Sequence, residues 1–236
     1  MTEAIFLDAG GVILDETASE VARASLICGL LAVHLDYSQA DYWRDTAEAV
    51  QDHVSSVYEY ALFKHLHSRG LYPAAMARYR SEWQALGQPL VLMAGLPEML
   101  ARLSGSYRLG ILGQYGQALL ETLEAAGLLG HFAFQDTQDD HTLTKPDPRY
   151  YLAVLANAGA VPQRSLMIGD RIDKDIYPAN VVGMRSIRMR TGLHAAQEAR
   201  LAIELPDATV DRLADITPDL VARIDAHPGF QNPFFS

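Results

Sequence analysis

The sequence predicts an α/β protein, a doubly wound parallel sheet with an all-helical segment inserted after its first strand. Three observations predict it. Short apolar runs of strand length recur after about residue 90 and alternate with helical patterns, the arrangement of parallel βαβ units with helices on both faces. A run of the same kind, Ala4-Ile5-Phe6-Leu7, opens the chain and is stopped by Asp8 and Gly10-Gly11, as a buried strand is. Between these stretches, residues from about 16 to 90 show only helical periodicity.

The elements follow in order. After the strand at Ala4 to Leu7, helical patterns run over residues 18–35, 39–54, 57–69 (stopped by Gly70) and 73–86. Gln88-Pro89 and Gly95-Leu-Pro97 punctuate the return to the α/β part. Further strands are predicted at residues 108–113, 165–169 and 186–190, with a weaker one at 131–135. A helix beginning near Gln117 ends before Gly127. Asp147-Pro148 supplies an N-cap and a first-turn proline for the next, which Gly159 closes, and Thr217-Pro218 starts another in the same way. The predicted domains are residues 1–15 with 91–236, and the helical insert 16–90.

Composition narrows the function. The 236 residues carry 19 basic and 29 acidic side chains, a net charge of −10. A general nucleic-acid binder needs clustered Lys and Arg that this chain lacks in excess. One cysteine, Cys28, forms no intrachain disulfide and fits a reducing, cytoplasmic setting. The apolar stretch Leu26 to Val33 is too short to span a bilayer, and Met1-Thr2-Glu3 starts no signal peptide, so no membrane partner is expected. The only lysines are Lys64, Lys145 and Lys174.

In an open parallel sheet, ligands bind beyond the carboxyl ends of the strands. Asp8 stands at one such end, and Gly169-Asp170-Arg-Ile-Asp173-Lys-Asp175 at another. Thr144-Lys145-Pro146-Asp147-Pro148 places a cation just before a helix. Carboxylates from two strand ends near one lysine suit Mg²⁺ and a phosphate ligand, and a carboxylate can attack phosphorus as a nucleophile.

The order FLDAGGVILD, TKPDPRYY, IGDRIDKD resembles the haloacid dehalogenase (HAD) superfamily of hydrolases, most of them Mg²⁺-dependent phosphatases. The resemblance spans nearly the whole chain. It implies a Rossmann-like core with residues 16–90 as a C1-type helical cap that controls access for a small phosphorylated substrate, in a monomer or homodimer. It implies Asp8 as the nucleophile that forms an aspartyl-phosphate, and Lys145 as the residue that holds Asp8 and the phosphoryl oxygens. It implies Mg²⁺ held by Asp8, the Gly10 carbonyl, Asp170 and Asp175. Asp173 either joins that loop chemistry or pairs with Arg171 or Lys174.

Two motif positions depart from the pattern. The family's phosphatases usually carry a general acid/base Asp two residues after the nucleophile, where this chain has Gly10. They also usually carry Ser or Thr at the end of the second motif strand, here Ile111-Leu112-Gly113-Gln114. Gly10, Gly11, Gly113 and Gln114 therefore remain as the phosphate-binding candidates, through backbone N–H groups or the Gln114 amide. A positioned acid/base contributes about 10² to 10⁴ in rate, so weak or substrate-restricted turnover is expected unless His53, Tyr58, His65 or His67 of the insert replaces it. The alternatives are a catalytically impaired relative that binds a phosphometabolite or a protein, and a 2-haloacid dehalogenase, which uses no metal. A phosphonate hydrolase would need Lys64, whose placement does not match that pattern.

Other features read as structural. Trp43, Tyr58, Tyr60, Phe63 and Trp83 are expected in the core of the insert, and Cys28 is expected buried and inert. Asp136, Asp139 and Asp140 read as a solvated loop, and the aromatic tail Gly229 to Ser236 as a segment that packs on the body or a second subunit. His65 and His67 are two apart, so a helix points them to different faces. The spacing of Gly110, Gly113 and Gly116 is not a dinucleotide fingerprint, and no phosphate-binding GK[ST] or GxSxG motif occurs.

Overall fold

The computed structural model describes residues 1–136 and 141–227; Asp139, Asp140 and the aromatic tail lie outside them. The described residues form two compact units, one of Met1–Asp15 with the chain from Leu90 onward, the other of Glu16–Pro89.

The first unit is built on six parallel strands: β1 (Ala4–Leu7), β2 (Arg108–Ile111), β3 (Phe132–Phe134), β4 (Ser165–Gly169), β5 (Arg185–Met189) and β6 (Ala208–Val210). Their order is β3-β2-β1-β4-β5-β6. Each β1 residue is flanked on both sides, Ile5 by Leu109 and Leu166, Leu7 by Ile111 and Ile168. A strand buried on both faces must be apolar at every position, and the alternation of a strand sends its residues to two separate cores. Ile5 and Leu7 join Leu109, Ile111, Leu166 and Ile168 in one, covered by α5 (Leu96–Ser104), α6 (Gln117–Ala125) and α9 (Pro218–Ala226). Ala4 and Phe6 join Met167 in the other, covered by α7 (Pro148–Asn157) and α8 (Tyr177–Val182). Gly110 leaves room for Phe6, since a Cβ there would lie 2.8 Å from its ring.

The second unit contains α1 (Thr17–Ala32), α2 (Gln39–Gln51), α3 (Val57–Leu66) and α4 (Tyr72–Leu86). Ser38 and Asp41 close a reciprocal capping box at the start of α2. Ile27 and Leu31 of α1, Tyr42 of α2, Leu62 and Leu66 of α3 and Met76 and Tyr79 of α4 form its own core.

The sequence readings need four corrections. β6 is a sixth strand that the periodicity missed, because three residues carry no period. Trp43 and Phe63 are 36% and 46% exposed and lie outside the helical core. Tyr58 and Trp83 do pack against that core, as expected, and also sandwich the Arg23 guanidinium, 3.5 and 4.1 Å from their ring centres. Cys28 is half-buried, with its thiol pKa pushed up by burial and then by Asp41. Asp136 is not solvated, since it pairs with His141 at 2.6 Å and both side chains are largely buried.

Candidate active site

Strand order reverses between β1 and β4, and the carboxyl ends of those two strands bound a crevice. Asp8 follows β1 directly and is fixed there by its N–H, which donates to the Ile168 carbonyl at 2.9 Å. Asp170 follows β4 directly. Asp175 returns to the same place because Ile172–Ile176 forms a single wide π-type turn, a device common at functional sites. The Arg171 N–H donates to its Oδ2 at 3.0 Å. Gly169 makes the return possible, since a Cβ there would lie 2.3 Å from that of Asp175.

Lys145 arrives from the segment before α7, whose start is fixed by Asp147 accepting from the Arg149 N–H at 2.9 Å. Its ammonium donates to Asp8 Oδ1 at 2.5 Å and to Asp175 Oδ1 at 2.6 Å. Oxygens of Asp8, Asp170 and Asp175 lie within 4.8 Å of one another. The side chains of Lys145 and Asp175 are 2% and 1% exposed, whereas that of Asp8 keeps 13%. Asp8 is thus the member of this ion-paired trio that a ligand can reach.

The electrostatics follow from this crowding. Burial, and next the neighbouring charge of Asp175, raise the Asp8 carboxyl to about 6 against the pull of Lys145. Burial works against the Lys145 ammonium, but Asp175 and Asp8 hold its pKa well above the ordinary lysine value. The three carboxylates share one directly bonded ammonium, and the Arg171 and Arg188 guanidiniums act on Asp170 from further off. The donor set, all carboxylate oxygen, is that of a hard cation such as Mg²⁺.

The predicted residues divide as follows. Asp8, Lys145, Asp170 and Asp175 come together. Gly11, at φ 68°, lies against Asp170, and a Cβ on it would meet that of Asp170 at 2.9 Å. Gly10 is the backbone neighbour of Gly11. Gly113 lies beside Ala9, whose nitrogen would be 2.9 Å from a Cβ at 113, and the Gly113 carbonyl accepts from the Tyr150 hydroxyl at 3.4 Å. Gln114 follows it and is partly buried. Asp173 turns to Arg171 at 2.6 Å and accepts from Gln197 at 2.8 Å, so it takes the pairing alternative. In the helical unit, His65 pairs with Asp45, His67 stacks on Phe63, and the Tyr58 hydroxyl donates to Glu20. His53 sits past the end of α2 at φ 53°.

Two residues were missed. Tyr151 donates to the Lys174 carbonyl at 2.5 Å and is buried beside Lys145. Thr191, in Arg190-Thr191-Gly192 at the end of β5, donates to the Gly11 carbonyl at 2.9 Å. A hydroxyl at a strand end was its only signal.

An acidic crevice at the switch point of a doubly wound sheet, with a paired lysine and a reachable carboxylate, is a candidate active site able to hold a hard cation. A family model described as HAD-hydrolase-like matches residues 142–216. The chain is 24% identical over 233 residues to a glyceraldehyde 3-phosphate phosphatase of Methanopyrus kandleri, covering 93% of this chain and 99% of that protein. It is 31% identical over 156 residues to a phosphoglycolate phosphatase of Agrobacterium fabrum, covering 65% and 64%. Its fold is that of a HAD-hydrolase of Bacillus subtilis bound to magnesium, with TM-score 0.63 and 17% identity over 95% of this chain and 99% of that one. The matched segment and these likenesses support a HAD-like hydrolase.

Proposed function

We propose that this chain is a Mg²⁺-dependent phosphatase of a small phosphorylated metabolite, acting through an aspartyl-phosphate on Asp8. One observation carries the reading: the buried grouping of Asp8, Asp170 and Asp175 within 4.8 Å, with Lys145 bonded to two of them. Asp8, the Gly10 carbonyl, Asp170 and Asp175 would hold the ion. When bound, Mg²⁺ supplies positive charge that offsets the carboxylates and favours a phosphate in the same crevice.

Asp8 attacks phosphorus with a carboxylate oxygen, and the bond from phosphorus to the leaving oxygen breaks as the Asp8–phosphorus bond forms. Lys145 keeps Asp8 ionised and faces the charge that develops on the phosphoryl oxygens, while Asp175 holds the lysine in place. Gly10, Gly11 and the N–H groups of Gly113 and Gln114 line the phosphate. Water then attacks phosphorus, the Asp8–phosphorus bond breaks, and inorganic phosphate leaves with Asp8 restored. The first leaving oxygen needs a proton, and Gly10 has none to give. Substrates with acidic leaving groups, acyl and aryl phosphates, are therefore favoured over alkyl phosphates, which lose most of the roughly 10²- to 10⁴-fold that an acid contributes. The likeness to relatives named as phosphatases supports the reaction class.

The test is phosphate release with and without Mg²⁺ over a panel of alkyl, aryl and acyl phosphates, with Asp8→Asn as control. The expected result is Mg²⁺-dependent release that is fastest for acyl and aryl phosphates and absent in the variant. Release no greater than that of the variant on every compound defeats the reading and leaves a binding protein. Halide release from a 2-haloacid without metal assigns the alternative chemistry.

A further inference from the structure

The loop after Asp8 is anchored by Ala9, Val12, Ile13 and Leu14, all buried in the core, but its two glycines contribute no side-chain contacts. Gly10 carries no side chain, and Gly11 at φ 68° occupies backbone space that side-chain-bearing residues rarely enter. Within the loop, Gly11 N–H donates to the Leu14 carbonyl at 3.0 Å, and the N–H groups of Ile13 and Leu14 donate to the Ala9 carbonyl. The Gly11 carbonyl is held from elsewhere, by the Thr191 hydroxyl at 2.9 Å across 180 residues of sequence. Thr191 stands at the end of β5, on the far side of β4 from β1. The hydrogen bond therefore links the two strand ends that flank Asp170.

Thr191 is also the N-cap of the short turn Gly192–Ala196, where a threonine ordinarily accepts from that turn's own N–H groups. Its side chain makes no such bond. The hydroxyl is committed to Gly11, and Gly11 in turn packs on Asp170, with a Cβ at 11 meeting Asp170 Cβ and Cγ at 2.9 Å.

We propose that Thr191 is a positioning residue for the metal site, holding the Gly11 backbone against Asp170. The proposal rests on the Mg²⁺ reading given above. Groups that orient metal ligands typically change affinity about 10- to 100-fold when removed. Loss of the hydroxyl frees the carbonyl of the Gly11–Val12 peptide, one residue from the Gly10 carbonyl, while a serine keeps the bond.

The test is calorimetric titration of the whole protein with MgCl₂, alongside the rise in melting temperature that Mg²⁺ produces, for wild type, Thr191→Val, Thr191→Ser and Asp170→Asn. The proposal expects Thr191→Val to bind Mg²⁺ about tenfold or more weakly, with a smaller Mg²⁺-induced rise. Thr191→Ser should stay within about threefold of wild type, and Asp170→Asn should lose binding. A merely structural hydroxyl would lower the metal-free melting temperature and leave the Mg²⁺-induced rise alone. Thr191→Val binding within about twofold of wild type, while Asp170→Asn loses binding, overturns the clamp and leaves the metal site standing. Absence of Mg²⁺ binding in the wild type removes the metal reading, and the clamp with it.

Discussion

Asp45 in the helical unit and Asp8 in the α/β unit are carboxylates surrounded by protein, and they ionise in opposite senses. Asp45 is 2% exposed and meets three polar partners: the Tyr37 hydroxyl at 2.7 Å, His65 Nε2 at 2.7 Å and the Lys64 ammonium at 3.0 Å. Burial pushes its pKa up, but the bonds from Tyr37, His65 and Lys64 prevail and hold it below the usual range. Around Asp8 the numbers are reversed, with one ammonium shared between two carboxylates and a third nearby, and the pKa rises to about 6. A carboxylate given more donors than it needs serves structure. A group of carboxylates given too few keeps a charge deficit that a cation can fill.

Removing the lysines breaks the comparison most directly. Lys145→Met should lower phosphate release by at least about 10² and destabilise the protein by about 3–5 kcal/mol, because Asp8 and Asp175 stay buried without a counterion. Lys64→Met leaves Asp45 with Tyr37 and His65, and Lys64 is itself 33% exposed, so its loss should cost about 1 kcal/mol or less. Denaturant melts of the two variants measure both, and equal losses would erase the distinction.

Restoring an acid comes next in size. Gly10→Asp should raise turnover of alkyl phosphates, by up to about 10², and help aryl and acyl phosphates least. No gain in a well-folded variant, read from kcat on a matched alkyl and aryl pair, counts against the account of the missing acid.

A third pair concerns the carboxylates themselves in metal-free protein. Asp8→Asn should raise the melting temperature, since it removes a charge the site disfavours. Asp45→Asn should lower it, by the roughly 1–3 kcal/mol of a disrupted buried hydrogen-bond set. Shifts of the same sign would show that donor number is not what separates the two places.

The smallest effect is in pH. Glu20 of α1 is buried, with Tyr58 donating to Oε1 at 2.8 Å and Oε2 without a hydrogen-bond partner among the described residues. Burial raises its pKa to about 7 despite the nearby Arg23. The folded state thus binds this proton more tightly than the unfolded chain does, so stability should fall as pH rises from about 4.5 to about 7. Glu20→Gln should flatten that part of the profile of melting temperature against pH. An unchanged slope would mean that Glu20 ionises as freely folded as unfolded.

Much of the fold was legible because its signals are local. Ala4-Ile5-Phe6-Leu7 is apolar at every position and stops at Asp8; Asp147-Pro148 and Thr217-Pro218 mark helix starts that the structure uses. β6 was not legible, being three residues long with one of them exposed. Within the site, Asp8, Lys145, Asp170 and Asp175 stood out by residue type and motif, whereas Thr191 and Tyr151 did not, since a hydroxyl declares its partner only when the chain has folded. Trp43 and Phe63 misled for the same reason: an aromatic in a helical pattern does not say which side of the helix is covered.

By itself the sequence determined which groups are available: three lysines, a carboxylate at a strand end, a glycine where an acid is usual, and apolar periods that dictate a buried sheet and a helical insert. Tertiary structure decided what those groups do to one another. Lys145 meets Asp8 across 137 residues and Asp175 across 30, and Thr191 meets Gly11 across 180. The energy of a charge or hydrogen bond depends on distance and on exclusion of water, and neither is written in the order of residues. The same aspartate is a saturated structural acid at position 45 and an under-neutralised one at position 8 because of what the fold brings beside it.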